Sequence, residues 1–331
     1  MILNIILIAV GLILLTKGAD FLITGAVGLS KRIGVSELFT GLTLVAFGTS
    51  APELVVSVSA SLKGSGIALG NVVGSNIANL GLILGLSILI KPAPINKSTI
   101  KYEIPFLLII SGALLSMILE SNHYAAFNTG FIKSTLTRYD GVILLCFLIM
   151  FFAYLYTMAK NDKSLQKQFL GEVPENSDKN MSVTKIVSFS LIGIIMLALG
   201  GELTVTNSIS LAKLMGISEA LIGVTIVAIG TSLPELVTSI VASRKGSNDI
   251  LIGNIIGSNV FNILFILGTS SVINSISPDR DMSFDILYSL IISFIVFLGI
   301  LINRKKLAGR FLGILLLCGY IFYIFMGIRL G

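Results

Sequence analysis

The chain has 331 residues, of which 54% are hydrophobic and only 12% charged, and a formal net charge of +6. Soluble domains carry about 25% charged residues, so most of this surface does not face water. An excess of basic residues can serve nucleic acid, but in a membrane protein it marks cytoplasmic loops, and the distribution described below supports that second use.

In chain order, the apolar runs come first. Met1–Leu15, Phe106–Leu119 and Val142–Met158 contain no charged residue. Runs of this kind read as membrane helices, which need roughly 20 residues to cross the hydrocarbon. The first charge is Lys17 and no A-x-A cleavage site follows, so the N-terminal run reads as a retained helix rather than a cleaved signal. The pattern predicts ten helices, near 2–25, 36–61, 67–90, 102–120, 139–158, 184–210, 219–243, 249–274, 283–302 and 309–328. Ala159–Lys185 is polar, mixes both charge signs and has no apolar period, as expected of a solvated linker. It divides the chain into 1–158, a cytoplasmic linker at 159–183, and 184–331. Cys146 and Cys318 lie inside apolar runs and read as buried thiols. His123, the single histidine, is expected in a loop, which argues against a zinc site.

An internal repeat is the strongest signal. Gly41–Lys63 (GLTLVAFGTSAPELVVSVSASLK) aligns with Gly223–Lys245 (GVTIVAIGTSLPELVTSIVASRK) at an offset of 182, with 15 of 23 positions identical. Gly70–Ser87 and Gly253–Ser270 then match at 10 of 18. One repeat spans five predicted helices. Five is odd, so the second copy enters the membrane from the opposite side, and the expected fold is all-α and polytopic, with ten helices in two inverted five-helix repeats. With the N-terminus outside, 16 of the 23 basic residues fall in cytoplasmic segments. The positive-inside rule therefore predicts a multi-pass cell-membrane protein with both termini extracellular, and leaves no need for a nucleic-acid partner.

The repeated helices carry the chemistry. Gly48-Thr49-Ser50-Ala51-Pro52-Glu53 falls near the middle of the second helix, and Gly230-Thr231-Ser232-Leu233-Pro234-Glu235 at the same place in the seventh. A proline removes a backbone donor, so carbonyls around Ala46–Gly48 and Ala228–Gly230 are expected to lose helical partners and become available to a hard cation. Each proline precedes a glutamate. A carboxylate at mid-bilayer costs about 3 kcal/mol on insertion scales, and two together repel. One divalent cation relieves both penalties, and carboxylate, carbonyl and hydroxyl oxygens suit Ca²⁺. In the third and eighth helices, Ser75 and Asn79, and likewise Ser258 and Asn262, are four apart and share a helix face. Asp20 and Glu202 also correspond in the repeat; their places toward helix ends read as capping or snorkelling.

The paired GTSxPE segments, each followed by GSNxxN, resemble the alpha repeats of the calcium/cation antiporter superfamily, and most closely its compact prokaryotic sodium/calcium exchangers. The resemblance spans essentially the whole chain. It implies a secondary active antiporter exchanging Na⁺ for Ca²⁺ by alternating access, not an enzyme, with no cofactor and no obligatory protein partner beyond the lipid bilayer. By position, Glu53 and Glu235 would ligate Ca²⁺ with the carbonyls of Thr49 and Thr231. Na⁺ would sit near Ala46, Thr49, Ser50 and Ser75 on one side, and near Ala228, Thr231, Ser232 and Ser258 on the other. Asn79 and Asn262 would complete the central site. Many members carry Asp where this chain has Asn262, which lowers the expectation of K⁺ co-transport. The resemblance also implies that the first and sixth helices slide across a fixed core, with Gly11, Gly18, Gly193, Gly200 and Gly201 allowing close packing against it. The alternative is a proton-coupled Ca²⁺ exchanger using the same glutamates. Its relatives show a GNxxE-type signature, and the extra hydroxyls here suit dehydrated Na⁺ better than a proton.

Overall fold

A computed structural model describes residues 1–129, 135–169, 181–215, 230–278, 280–303 and 306–330. The helices are α1 (Ile2–Ile33), α2 (Glu37–Thr49), α3 (Ala51–Leu62), α4 (Ile67–Ile90), α5 (Ile104–Thr129), α6 (Arg138–Phe169), α7 (Val183–Leu214), α8 (Leu233–Lys245), α9 (Asn248–Ile273), α10 (Ser283–Ile302) and α11 (Arg310–Leu330). Two short strands, β1 (Ala93–Pro94) and β2 (Leu307–Ala308), complete the list. Among the described residues, eight helices are long and apolar enough to cross a bilayer, and the pair α2 and α3, bent by 49°, makes a ninth. Of the helix expected at 219–243, residues up to 229 lie outside the described residues, and α8 covers its end.

Local sequence sets several of these boundaries. The Ser36 hydroxyl accepts from the Phe39 amide at 3.2 Å and caps α2, and Ser182 caps α7 through the Lys185 amide at 3.2 Å. At corresponding positions of the repeat, Gly64 and Gly246 turn the chain at φ 70° and 79°, a conformation that side chains with a Cβ disfavour. Elsewhere the helices outrun the apolar pattern. α6 continues to Phe169, well into the polar stretch that begins at Ala159, so the helix does not stop at 158. His123 lies on α5 rather than in a loop. Both cysteines are exposed on the helix surface instead of buried, since a bilayer accepts a thiol as readily as a core does.

The inverted symmetry appears in the backbone links between halves. The segment after α4 pairs with the segment before α11, as Ala93↔Ala308 and Pro94↔Leu307. The segment after α9 pairs with the segment before α6, through Leu136↔Ile276. These are the same connection made once at each face of an all-α, polytopic fold of two inverted five-helix repeats. At the centre, 94% of the apolar span of α9 and 72% of that of α4 is buried, against 22% for α1, α6 and α11. α2 and α9 pack together, as do α3 with α4 and α8 with α9, while α1 and α7 run along one another at the side.

Candidate ion-binding site

The helix breaks build the site. Ser50 sits at φ −83°, ψ 8° between α2 and α3, and Ser232 at φ −88°, ψ 8° before α8. The prolines therefore do not kink continuous helices. Each occupies the first turn of a new helix, where its missing N–H is no loss. Glu53 and Glu235 lie in those same first turns. The positive end of each half-helix, where amide N–H groups lack intrahelical acceptors, favours a carboxylate there.

Both glutamates are fully buried, and their charges repel one another. Ser50 Oγ donates to Glu235 Oε1 at 2.9 Å, tying the break of one half to the acid of the other. The hydroxyls of Ser75 and Ser232 lie beside Glu53 without satisfying its oxygens. Six buried oxygens here have no hydrogen-bond partner: Glu53 Oε1 and Oε2, Glu235 Oε2, Asn79 Oδ1, Asn262 Oδ1 and Ser232 Oγ. Buried oxygen atoms are rarely left unpaired, because each forfeits its bonds to water. With three carboxylate, two amide and one hydroxyl oxygen, they make a candidate oxygen cage of the kind that holds a hard cation. Among the described residues no group of three or more acidic, histidine or cysteine side chains is placed to hold a metal, so the negative charge of the cage comes from this one pair.

The amides are aimed by two residues to which the motif alone assigns no role. Asn79 Nδ2 donates to Asn259 Oδ1 at 3.0 Å, and Asn262 Nδ2 donates to Asn76 Oδ1 at 3.0 Å. Spending each N–H₂ on the opposite half leaves each Oδ1 buried without a hydrogen-bond partner among the described residues. Asn76 is itself anchored through Nδ2 to the Asn259 carbonyl at 3.2 Å. A π-helical turn starts at each ligand candidate, Asn79–Leu84 and Asn262–Leu267; such bulges recur at functional sites. The signal for Asn76 and Asn259 was present in GSNxxN, whose middle Asn is repeated as faithfully as the flanking residues, but their partners lie in the other half.

The two sides of the cage differ. On one, Thr49 Oγ1 donates to Asn254 Oδ1 at 3.0 Å and lies 3.4 Å from Ser258 Oγ. On the other, Ser75 Oγ is 3.5 Å from Thr231 Oγ1. Asn254 is wholly buried and also donates to Ser239 at 3.1 Å. Its counterpart Asn71 donates to Ser57 at 3.1 Å but is only half-buried. One expectation fails here. The Ala46 carbonyl is not freed, because it accepts from the Ser50 amide at 3.1 Å, from Thr49 Oγ1 at 3.3 Å and from Ser258 Oγ at 3.4 Å. The break falls beyond Thr49, leaving that last helical bond intact. Ala228 lies outside the described residues.

The chain is similar to known proteins over nearly its whole length. The profile of the family described as sodium/calcium exchanger protein matches residues 3–157 and 185–329. The chain is 34% identical to the inner membrane protein YrbG of Escherichia coli (strain K12), over 98% of this chain and 97% of that one. It is 32% identical to the sodium/calcium exchanger MaX1 of Methanosarcina acetivorans, over 97% of each. A solved structure of the sodium-calcium exchanger NCX_Mj, soaked with Na⁺ and Ca²⁺, superposes with a TM-score of 0.78 at 32% identity, covering 98% of both chains.

Proposed function

The chain belongs to the sodium/calcium exchanger protein family, and on that footing we propose how its central cage serves Na⁺/Ca²⁺ antiport. The protein is a secondary transporter of compact prokaryotic type and not an enzyme. Its substrates are Na⁺ and Ca²⁺, and its solvent is the bilayer. In our reading Ca²⁺ is bridged by Glu53 and Glu235, joined by the carbonyls of Thr49 and Thr231 and by the amide oxygens of Asn79 and Asn262. Na⁺ takes the flanking positions, near Ala46, Thr49, Ser50 and Ser75 on one side and near Ala228, Thr231, Ser232 and Ser258 on the other. The Ala46 carbonyl would first exchange a hydroxyl donor for the ion.

The observation that carries this reading is the set of six unpartnered buried oxygens, three of them on the carboxylates of Glu53 and Glu235. Two negative charges balance one Ca²⁺, and emptying the cage leaves repulsion that replacement by Na⁺, or by protons in the alternative reading, relieves. Exchange rather than leak follows, because the empty carrier is the costly state. We further place both termini outside by the distribution of basic residues, with 1–158 and 184–331 as the transport halves and 159–183 as their cytoplasmic connection. The test is ⁴⁵Ca²⁺ uptake into proteoliposomes driven by an outward Na⁺ gradient, compared with K⁺ and pH gradients. Uptake driven by Na⁺ alone supports the reading. Uptake driven by the pH gradient and indifferent to Na⁺ would replace it with proton coupling.

A further inference from the structure

Asp20 on α1 is not a capping or snorkelling residue. Lys245, the last residue of α8, reaches it across the gap between helices, with Nζ 3.1 Å from Asp20 Oδ1. The same ammonium lies 3.3 Å from the Asp20 carbonyl and 3.4 Å from Thr24 Oγ1. Three acceptors on one turn of α1 thus hold one cation at the end of a site-bearing helix. Packing follows the same line: α1 runs along α8, whereas α7 makes no comparable contact with α3.

The repeat turns this into a statement about the transport cycle. At the offset of 182, Asp20 corresponds to Glu202 and Lys245 to Lys63. The repeat has therefore kept an acid on the outer helix and a lysine at the end of the site helix in both copies. Lys63 and Glu202 are both exposed, and among the described residues neither forms an ion pair. Inverted repeats that exchange conformations interconvert the two faces, so the state opposite to this one would carry the contact between α7 and α3 that is missing here.

We propose that Asp20–Lys245 and Glu202–Lys63 are alternating latches: the first holds the carrier closed at its Lys245 face in the present state, and the second closes the Lys63 face in the opposite state. These are positioning residues, distant from the ions in role, that set the population of each facing state. The inference rests on the exchanger reading above. A part-exposed ion pair contributes modestly, and breaking one shifts a two-state equilibrium roughly 1.5-fold to fivefold.

The test measures the half-saturating Ca²⁺ concentration at each face in vesicles of either orientation. Asp20→Asn should lower that concentration at the Lys245 face and raise it at the Lys63 face, moving their ratio by roughly 1.5-fold to fivefold. Glu202→Gln should move the ratio the other way, and the double variant should return it close to the parent value. The charge exchange Asp20→Lys with Lys245→Asp should restore what Asp20→Asn disturbs. A merely structural pair would change total rate or protein yield and leave the ratio fixed; that result, or both single variants moving it in the same direction, overturns the proposal. A second arm needs no substrate. With Cys146 and Cys318 replaced by serine, cysteines at 63 and 202 should be captured by a bifunctional thiol reagent, as should cysteines at 20 and 245. Capture of the second pair but never the first also overturns it. Absence of Na⁺-driven exchange in the unaltered protein would instead count against the exchanger reading, leaving the cross-linking result to judge the latches alone.

Discussion

Helices α9 and α1 are both apolar enough to span a bilayer, yet 94% of one span is buried and 22% of the other. Hydropathy does not separate them, because lipid and protein interior are equally welcoming to Ile and Leu. What separates them is where their polar atoms find partners. α9 carries Asn254, Ser258, Asn259 and Asn262, each buried and each bonded to the opposite half of the molecule or to α8. α1 closes its hydroxyls on its own backbone, as Thr16 Oγ1 does on the Leu12 carbonyl at 2.8 Å. In a membrane the central helices are identified by polar bonds that leave the helix, and apolar length identifies only that a helix crosses.

The sharpest way to break this comparison is to remove a central charge. Glu53→Gln or Glu235→Gln keeps volume and hydrogen-bonding shape, removes half the negative charge of the cage, and should lower Na⁺-driven Ca²⁺ uptake by about a hundredfold or more, the scale of a lost charge-assisted ligand set. Expression, detergent extraction and melting temperature should stay near the parent values, since repulsion between the acids is relieved as well. Near-normal uptake in either variant would remove these glutamates from the site.

A smaller effect is expected one bond further out. Asn76→Leu removes the acceptor of Asn262 Nδ2, and Asn259→Leu removes that of Asn79 Nδ2. The ligand amide then has no reason to keep its oxygen toward the ion. Residues that orient a ligand typically carry ten- to hundredfold effects on metal affinity, so half-saturating Ca²⁺ should rise by about tenfold, with turnover at saturating Ca²⁺ far less affected. An unchanged half-saturation would show that Asn79 and Asn262 need no such orientation.

The outer pair answers differently. The glycines of α1 and α7 do not pack against the core, as the sequence had suggested; they face each other. A Cβ on Gly18 would lie 2.9 Å from the Gly193 carbonyl oxygen, and one on Gly11 would lie 2.3 Å from Thr204 Oγ1 and 2.9 Å from the Gly200 carbonyl oxygen. This seam joins the two helices into one body, and only Gly201 turns toward Pro234 of the site helix, at 3.7 Å. Gly18→Leu should therefore cost about 1–3 kcal/mol, as overpacking does, read as a lower melting temperature in detergent with Ca²⁺ half-saturation nearly unchanged. A variant that loses affinity and keeps its stability would place this seam within the site.

Much of this was legible in the chain because duplication marks function twice. The paired GTSxPE and GSNxxN segments located both buried acids, both candidate ligand amides and the inverted architecture, since five helices per copy force the inversion. The unread parts share one cause: they depend on contacts across the two halves or on the solvent a residue meets. Asn76 and Asn259 needed each other's half to acquire a role. Lys245 and Asp20 are 225 residues apart in sequence. Cys146 and Cys318 were assigned to a core because an apolar run does not say whether its surroundings are side chains or acyl chains. The freed carbonyl expected at Ala46 failed because the proline marked a break, and the break fell one turn later than a kink would put it. Outside the cage, Glu103 with Tyr154, and Asp285 with Tyr323 at 2.7 Å and Arg280 at 2.8 and 2.9 Å, are equivalent acid–tyrosine contacts of the two halves. The weaker similarity of the outer helices hid that equivalence.

The smallest expected effect is none, and it concerns Asn262. The family resemblance ties an Asp at this position to K⁺ co-transport, so the amide here predicts K⁺-independent exchange. The structure adds a reason why this position takes an amide in this chain. Asn262 donates through Nδ2 to Asn76 Oδ1, and Asn76 is held in that orientation because its own Nδ2 is committed to the Asn259 carbonyl. An ionised Asp has no proton to donate. It would set a carboxylate oxygen against the Asn76 oxygen, and Asn76 could turn only by abandoning Asn259. Varying K⁺ at fixed Na⁺ and voltage should leave the Ca²⁺ flux of the parent protein unchanged. Asn262→Asp alone should be impaired rather than become K⁺-dependent, and adding Asn76→Asp should not rescue it, since that change supplies a further acceptor and no donor. A Ca²⁺ flux that collapses when K⁺ is withdrawn from the parent would show that an amide at this position does not free the cage from a third cation.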